Sequence, residues 1–223
     1  MGIQSVIDKA ELITVSKQKL TGTTISRSGR LRTSMVASAQ PFRFSVKYAD
    51  MQKYETLRGV LEDLDTLDTV GSEAIDIGST NTGLSWITAY QGDLTSAQVG
   101  QLSVDSYSGS TITLSTSSVT GSSPSDYVVK KGDYIQLDSG YKYPYCATSD
   151  VLLGAVGAGT KVSIPLHRPI LSQTGYTIVG AGVVVGNDVT WQVKMLSKPS
   201  YTIQPARYVE FEGNFELMEL IED

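Results

Sequence analysis

Residues 188–196 read DVTWQVKML, and the alternation of their side chains decides the class of fold. Apolar side chains fall on one side of an extended chain and polar ones on the other: Val189, Trp191, Val193 and Met195 against Thr190, Gln192 and Lys194. A period of two residues is typical of a β-strand with one buried face. The turn sequence at residues 186–188 precedes it. The stretch therefore predicts a mainly β protein.

A second stretch of the same kind lies at residues 207–223, RYVEFEGNFELMELIED. Val209, Phe211, Phe215 and Leu217 share one predicted face. The opposite face is largely acidic and consists of Glu210, Glu212, Asn214 and Glu216. We expect one long strand in this second stretch, with its acidic face turned to solvent or to a partner. Trp191 of the first stretch and Phe211 of the second are both expected to be buried.

The first 48 residues also read as long strands. FRFSVKY (residues 42–48) alternates cleanly, and residues 11–20 and 23–39 alternate in part. Ser28-Gly29 is a turn signal inside the second of these stretches. The sequence therefore predicts a long hairpin that carries several arginines.

One amphipathic helix is predicted at residues 51–67, with Asp50 as its N-cap. Its apolar residues recur at spacings of three and four and form one stripe: Met51, Tyr54, Leu57, Val60, Leu61, Leu64 and Leu67. A single amphipathic helix in a strand-rich chain usually covers a sheet. The alternative is that the stripe binds a partner.

The middle of the chain has a different texture. Residues 91–183 are rich in serine and glycine, with short apolar runs spaced about 8–12 residues apart, which is typical of a small barrel or sandwich. We therefore predict a discontinuous scaffold domain at residues 1–90 and 184–223. Residues 91–183 are predicted to be an inserted small β-barrel domain.

Charge is distributed unevenly along the chain. Residues 12–49 hold seven basic side chains and no acid, which leaves 11 basic against 23 acidic residues elsewhere, a balance of −12. A basic arm on an acidic body suits head-to-tail docking of identical copies. The predicted subunit or partner interface accordingly consists of Arg27, Arg30, Arg32, Arg43 and Lys47. A solvated loop is the alternative.

Nucleic acid and membrane are weaker candidates as partners. The arginines could bind phosphate, but residues 23–39 contain no aromatic side chain to stack on bases, and the whole chain is acidic. We expect no sequence-specific nucleic-acid binding and at most passive contact with DNA in a lumen. No apolar stretch reaches the roughly 20 residues of a membrane span.

Motifs for chemistry are sparse. The single histidine, His167, lies between Pro165 and Pro169, and the single cysteine, Cys146, lies in a predicted strand. Neither stands beside a recognisable nucleophile or metal motif. The sequence therefore predicts no catalytic residues, no bound metal and no cofactor.

The C-terminal pattern, WQVKMLSKPSYTIQPARYVEFEGNFELMELIE, resembles the closing strands of bacteriophage tail structural proteins of the tail-tube and baseplate kind. In those proteins a tryptophan-bearing strand, a proline-marked crossover and a final strand ending in F-x-L-x-E complete a sheet. VVKKGDYIQLDSGYKYPY followed by GTKVSIPLHRPIL looks like the small barrel inserts of phage virion proteins. The long hairpin, returning strand and helix are similar to the tube-like fold.

The resemblance implies a tail-tube-like β-sandwich or barrel scaffold and a non-enzymatic virion protein. Such a protein is made in the bacterial host's cytoplasm, forms a homo-oligomeric ring in the phage tail, and docks other tail or baseplate proteins. It also implies that the long hairpin reaches the neighbouring subunit or the ring below. A head–tail connector or a tail terminator remains an alternative.

A further alternative is a carbohydrate-binding module for host attachment. The inserted domain is rich in tyrosine, and sugar faces stack on such rings: Tyr127, Tyr134, Tyr141, Tyr143 and Tyr145. Packing of these rings in the core of the domain is the competing interpretation.

Overall fold

The structure is a computed structural model. It describes residues 2–17, 21–25, 31–35, 39–48, 51–78, 83–138, 140–154, 157 and 159–221; for residues 21–25, 31–35 and 66–70 only the backbone is described. Strands make up 40% of the protein and helices 16%, which confirms the prediction of a mainly β fold. The described strands pair antiparallel in several sheets, none of which closes into a barrel.

The helices are α1 (Gly2–Asp8), α2 (Tyr54–Val70) and α3 (Ser96–Val99). The strands, in chain order, are β1 (Ala10–Lys17), β2 (Thr21–Ile25), β3 (Leu31–Met35), β4 (Phe42–Tyr48), β5 (Gln52–Lys53), β6 (Glu73–Ile75), β7 (Ser103–Ser108), β8 (Thr111–Ser115), β9 (Tyr127–Val129), β10 (Tyr134–Leu137), β11 (Tyr145–Cys146), β12 (Val151–Leu152), β13 (Lys161–Pro165), β14 (Val183–Val185), β15 (Trp191–Ser197), β16 (Ser200–Ile203), β17 (Tyr208–Glu212) and β18 (Phe215–Glu219).

The central element is a five-stranded antiparallel sheet in the order β1-β4-β18-β15-β6. It joins the two ends of the chain, because β4 pairs with β18 and places Phe44 opposite Leu217. One face packs against α1 and α2 around fully buried Trp191, whose ring lies 5.6 Å from Phe44 and 5.3 Å from Tyr134 between centroids. The strict alternation of β4 and β15 is explained by this one-sided burial.

The C-terminal strand prediction is partly wrong. The chain turns at Gly213, where φ is 114°, and the expected single strand becomes β17 and β18. Strand β18 joins the five-stranded sheet, whereas β17 joins β16 and β5 in a separate one. A φ in this range favours glycine, so Gly213 allows the break. Phe211 is consequently half-buried, while Trp191 is buried as expected.

Two corrections concern the helices. α2 begins at Tyr54, with Lys53 at the N-cap, rather than at Met51; Asp50 lies outside the described residues. Met51 is 64% exposed with a positive φ of 60°, so it does not belong to the buried stripe. The short helix α1 was not predicted. Its buried residues share one side and pack beside α2: Ile3, Val6 and Ile7.

The middle of the chain forms three small antiparallel sheets, in the orders β11-β10-β14, β12-β9 and β13-β8-β7. The prediction that the inserted domain is a β-barrel is therefore wrong, because its sheets do not close. The strands here have only two to six residues and belong to separate ladders, so no continuous sheet curls round on itself. Their buried side chains form a second apolar cluster, distinct from the one behind the five-stranded sheet.

The two ends of the middle segment lie against each other. A Cβ added at Gly186 would lie 2.8 Å from Tyr90 Cβ, and the Thr88 hydroxyl donates to Asn187 Oδ1 at 2.7 Å. Close ends are what an inserted domain requires. The close ends and the two separate apolar clusters support a domain boundary at residues 91 and 183. The division stays a prediction, because Cys146 of the middle segment also packs in the scaffold cluster.

Candidate functional site

The arginine-rich stretch forms a feature of its own, which we call the ribbon: β2, β3 and the connecting residues 26–30. β2 and β3 pair only with each other among the described strands, with Ile25 opposite Leu31 and Thr24 opposite Arg32. Arg27 and Arg30 lie outside the described residues, and Arg32 is placed by its backbone alone. The prediction that these three arginines bind a partner therefore stays a prediction.

Arg43 and Lys47 lie on β4, on the face of the five-stranded sheet that points away from α1 and α2. Each has an acidic partner in its own chain: Arg43 Nε donates to Glu216 Oε2 at 3.3 Å, and Lys47 Nζ donates to Glu11 Oε2 at 3.0 Å. Exposed pairs of this kind contribute only about 0.2–1 kcal/mol. Replacing these intrachain ion pairs by pairs with a partner's acidic side chains would cost little free energy. The predicted interface role of Arg43 and Lys47 therefore stays a prediction.

The sheet face around Arg43 is mainly polar, with Leu12, Ala74 and Met218 as its apolar members. Glu216 also accepts a hydrogen bond from the Ser45 hydroxyl at 2.7 Å, and Asn214 donates to Ser45 at 3.1 Å. The face is lined by Leu12, Thr14, Ser16, Arg43, Ser45, Lys47, Ala74, Gln192, Lys194, Glu216 and Met218. It is a mainly hydrophilic surface with its own hydrogen-bond network, and it suits contact with water or with a polar partner.

The most concentrated polar site was not predicted. Arg168 and Glu219 are both completely buried and form a two-pronged ion pair, with Nη2 to Oε1 at 2.6 Å and Nη1 to Oε2 at 2.7 Å. We call this pair the clamp. It connects the middle segment, through Arg168, to the last strand of the scaffold sheet. Bidentate geometry is the strongest arrangement of an arginine and a carboxylate.

The clamp also binds the backbone of the chain that leads into β4. Arg168 Nη1 donates to the carbonyl oxygens of Ala39 and Gln40, at 3.1 and 3.5 Å, and Glu219 Oε2 accepts the Phe42 amide at 3.0 Å. Gln40 is buried with a φ of 41°, an unfavourable conformation for a residue with a side chain. The surrounding contacts therefore hold the backbone in this conformation just before β4 begins.

Burial and the ion pair act on Glu219 in opposite directions. Burial raises the pKa of its carboxyl group, and the Arg168 guanidinium and the Phe42 amide counteract that increase. The Phe42 and Tyr145 rings also flank the guanidinium, 5.5 and 5.2 Å from its central carbon. A charge enclosed in this way is costly unless its partner is present.

One signal in the sequence could have located the clamp. Phe215, Leu217 and Glu219 occupy alternate positions of β18, so Glu219 stands where the pattern requires an apolar side chain. A carboxylate at a core position demands a buried cation. Nothing in the sequence says that this cation is Arg168, because the two residues are 51 positions apart.

His167 and Cys146 meet through the backbone. The His167 amide donates to the Cys146 carbonyl, and the Cys146 amide donates to His167 Nδ1, both at 3.0 Å. The Cys146 thiol points elsewhere, to the Gly132 carbonyl at 3.5 Å. The imidazole is thus used as a hydrogen-bond acceptor in packing beside Phe42, and the pair does not form a thiol–imidazole dyad.

A pH-dependent stability follows from His167. Burial, with Arg168 beside it, lowers the pKa of His167 to about 3, against about 6.5 when unfolded. Between these values the unfolded chain binds a proton that the folded chain excludes, so stability falls as pH decreases. Between pH 7.5 and 5.5 we expect a loss of about 1.4 kcal/mol from this residue.

The measurement is chemical denaturation at both pH values for the natural protein and for His167→Gln. The variant should lose about 1.4 kcal/mol less than the natural protein over this interval. His167 is the chain's single histidine, so no other imidazole contributes. Equal losses in the two proteins would contradict the buried, neutral state of the ring.

The tyrosines of the middle segment are mostly core residues. Tyr141, Tyr143 and Tyr145 are buried, and the Tyr141 and Tyr145 hydroxyl oxygens lie 2.6 Å apart. Tyr127 and Tyr134 are half-buried, the latter against Trp191. Three of the five rings therefore offer no face to a sugar, and the carbohydrate-binding alternative loses most of the surface that suggested it.

Within the described ranges, no helix is long and apolar enough to cross a membrane, and no group of three or more histidine, cysteine, aspartate or glutamate side chains is placed to hold a metal ion.

No protein-family model matches the chain. No curated protein matches it either.

Proposed function

We propose that this protein is a non-enzymatic structural protein of a bacteriophage virion. It is made in the host cytoplasm, forms a homo-oligomeric ring in the tail, at the baseplate or the tube end, and docks neighbouring tail proteins. The observation that carries the proposal is the ribbon: a basic two-stranded element that pairs with no other described strand of its own subunit. The resemblance of the C-terminal segment to tail structural proteins supports the same assignment.

The charge of the chain supports docking between copies. The ribbon, residues 21–35, contains three arginines and no acid, whereas the chain outside residues 12–49 has a balance of −12. Such a subunit attracts its own kind in a head-to-tail arrangement and repels the alternatives. Head-to-tail contacts close into a ring when the rotation between neighbours divides a full turn.

The clamp anchors the chain between the ribbon and β4. Arg168 binds the backbone at Ala39 and Gln40, which follow the end of the ribbon at Met35 by four and five residues, and is itself fixed by Glu219. An anchor close to a docking element lowers the conformational entropy that the element loses on binding.

The test is to change Arg27, Arg30 and Arg32 together to glutamate. The variant should keep nearly the natural melting temperature and should no longer assemble with itself or with tail partners. A matched control reverses three exposed basic residues elsewhere, Lys53, Arg58 and Lys131, and should assemble normally. Assembly of the natural protein should also weaken at 1 M salt, where the Debye length is about 3 Å.

Two results would contradict the proposal. One is normal entry of the triple variant into tails. The other is retardation of duplex DNA by the natural protein at physiological salt that disappears in the variant, because phosphate would then be the arginines' partner.

A further inference from the structure

A trough runs along one side of the middle segment, and three adjoining hollows form it. The first, about 310 Å³, is bordered by Tyr107 and Val179. It shares Val179 with the second, about 440 Å³, which contains Asp138. The third, about 360 Å³, shares Asp138 and extends to Val185 and Asp188. Neighbouring hollows share lining residues, and we call the three together the trough.

The trough combines apolar walls with acidic charge. Tyr107 and Val179 are 46% and 54% exposed, so both present apolar surface in the trough. At the other end, buried Leu94 and Val99 contribute to the third hollow. The charged residues among the described lining are both acids, Asp138 and Asp188.

The ribbon has the complementary properties. Its register places Ile25 opposite Leu31, next to the connection that carries Arg27 and Arg30, and Arg32 follows in β3. A paired segment of five residues is about 16 Å long, which gives the ribbon an extended form suited to a trough. Apolar residues flanked by arginines match apolar walls flanked by aspartates, and no acid lies in the ribbon to oppose the contact.

We propose that the trough is the docking surface for the ribbon of a second copy of this chain. The inference rests on the proposed ring and names the surface that receives the arginines. Arginine is well suited to such a contact, because its planar group binds a carboxylate with two hydrogen bonds and also packs on apolar surface. The inserted segment then has an assembly role: together with Asp188 of the adjoining scaffold it presents the receptor for the neighbouring subunit.

Charge exchange between full-length variants tests the contact. One variant has the acidic ribbon, Arg27→Glu, Arg30→Glu and Arg32→Glu; the other has a basic trough, Asp138→Lys and Asp188→Lys. Each alone meets a like charge at every contact and should show an apparent Kd for self-association raised at least about tenfold, which is about 1.4 kcal/mol. A 1:1 mixture should recover association, because each ribbon then faces a trough of opposite sign.

The control reverses two exposed acids outside the trough, Glu210→Lys and Glu212→Lys, on β17. It should associate like the natural protein. Because the Asp138 carboxylate lies against Gly182, the exposed single variant Asp188→Lys is tested in parallel and should show a smaller loss, also recovered in the mixture. Sedimentation velocity measures every combination, and thermal unfolding verifies that each variant is folded.

The outcomes separate this inference from the ring itself. Loss of association with the acidic ribbon but not with the basic trough overturns the trough and keeps the ring. Equal loss in the β17 control, or no recovery in the mixture, also overturns the trough. A natural protein that stays monomeric at every concentration overturns the ring and the trough together.

Discussion

Replacing Arg168 with alanine is expected to lower the free energy of unfolding by about 3–5 kcal/mol, the range for removing one partner of a buried ion pair. Glu219 would remain buried without its cation, and it would keep the hydrogen bond from the Phe42 amide. The carbonyl oxygens of Ala39 and Pro144 would lose the guanidinium as well. Urea denaturation, followed by circular dichroism, measures the change.

The matched control removes both charges at once. Arg168→Met with Glu219→Leu leaves no uncompensated charge, so the double variant should be more stable than Arg168→Ala alone. The chain between its ribbon and β4 would lose the Arg168 hydrogen bonds to Ala39 and Gln40, and we expect weaker ring assembly from a folded subunit. A loss below about 1 kcal/mol for Arg168→Ala, the level of an exposed pair, would mean that the clamp is open to solvent.

Replacing Trp191 with alanine should cost about 3–5 kcal/mol, the usual range for a large aromatic side chain removed from a core. Trp191 is fully buried and its ring is surrounded by Phe42, Phe44 and Tyr134, with centroids 5.3 to 6.0 Å away. Its indole nitrogen makes no hydrogen bond within the described part of the chain, so the loss comes from packing.

The other tryptophan of the chain, Trp86, serves as the control position. Trp86 is 70% exposed, and Trp86→Ala should change stability by less than about 0.5 kcal/mol, as is usual for surface substitutions. Emission from the variants gives a second measurement, because the remaining tryptophan should emit at shorter wavelength when it is Trp191. Equal effects of the two substitutions on stability would place Trp191 outside the core.

Strands with one buried face were predictable from the sequence. FRFSVKY and WQVKML alternate because one side of the five-stranded sheet packs on helices and the other meets water. The break at Gly213 was not predicted, since the alternation continues across it. Only the change of sheet between β17 and β18, which is a tertiary feature, shows that the chain turns there.

The helices were predictable only in part. The stripe of α2 is long enough to be recognised, but its start depends on the strand pairing of Gln52 and Lys53 with β17, which holds those residues extended. The seven residues of α1 are too few to give a clear period. Their helix depends on tertiary contacts, such as the Ile3 amide donating to Glu73 at 2.9 Å.

The candidate site was also predictable only in part. Concentrated charge is a property of sequence, so the arginine-bearing ribbon could be recognised directly. The clamp could be recognised only by half, from Glu219 at an apolar position, because Arg168 joins it only when the middle segment folds against the last strand. The trough likewise depends on Asp138 and Asp188 being brought to one surface by β10 and the residues after β14.

Electron microscopy of the purified protein in negative stain can show whether identical subunits join head to tail through the ribbon into a ring. We expect closed rings of a single size at low salt, absent from the Arg27→Glu, Arg30→Glu, Arg32→Glu variant. Particles of single-subunit size at every concentration, or rings that the triple variant forms equally well, would contradict it.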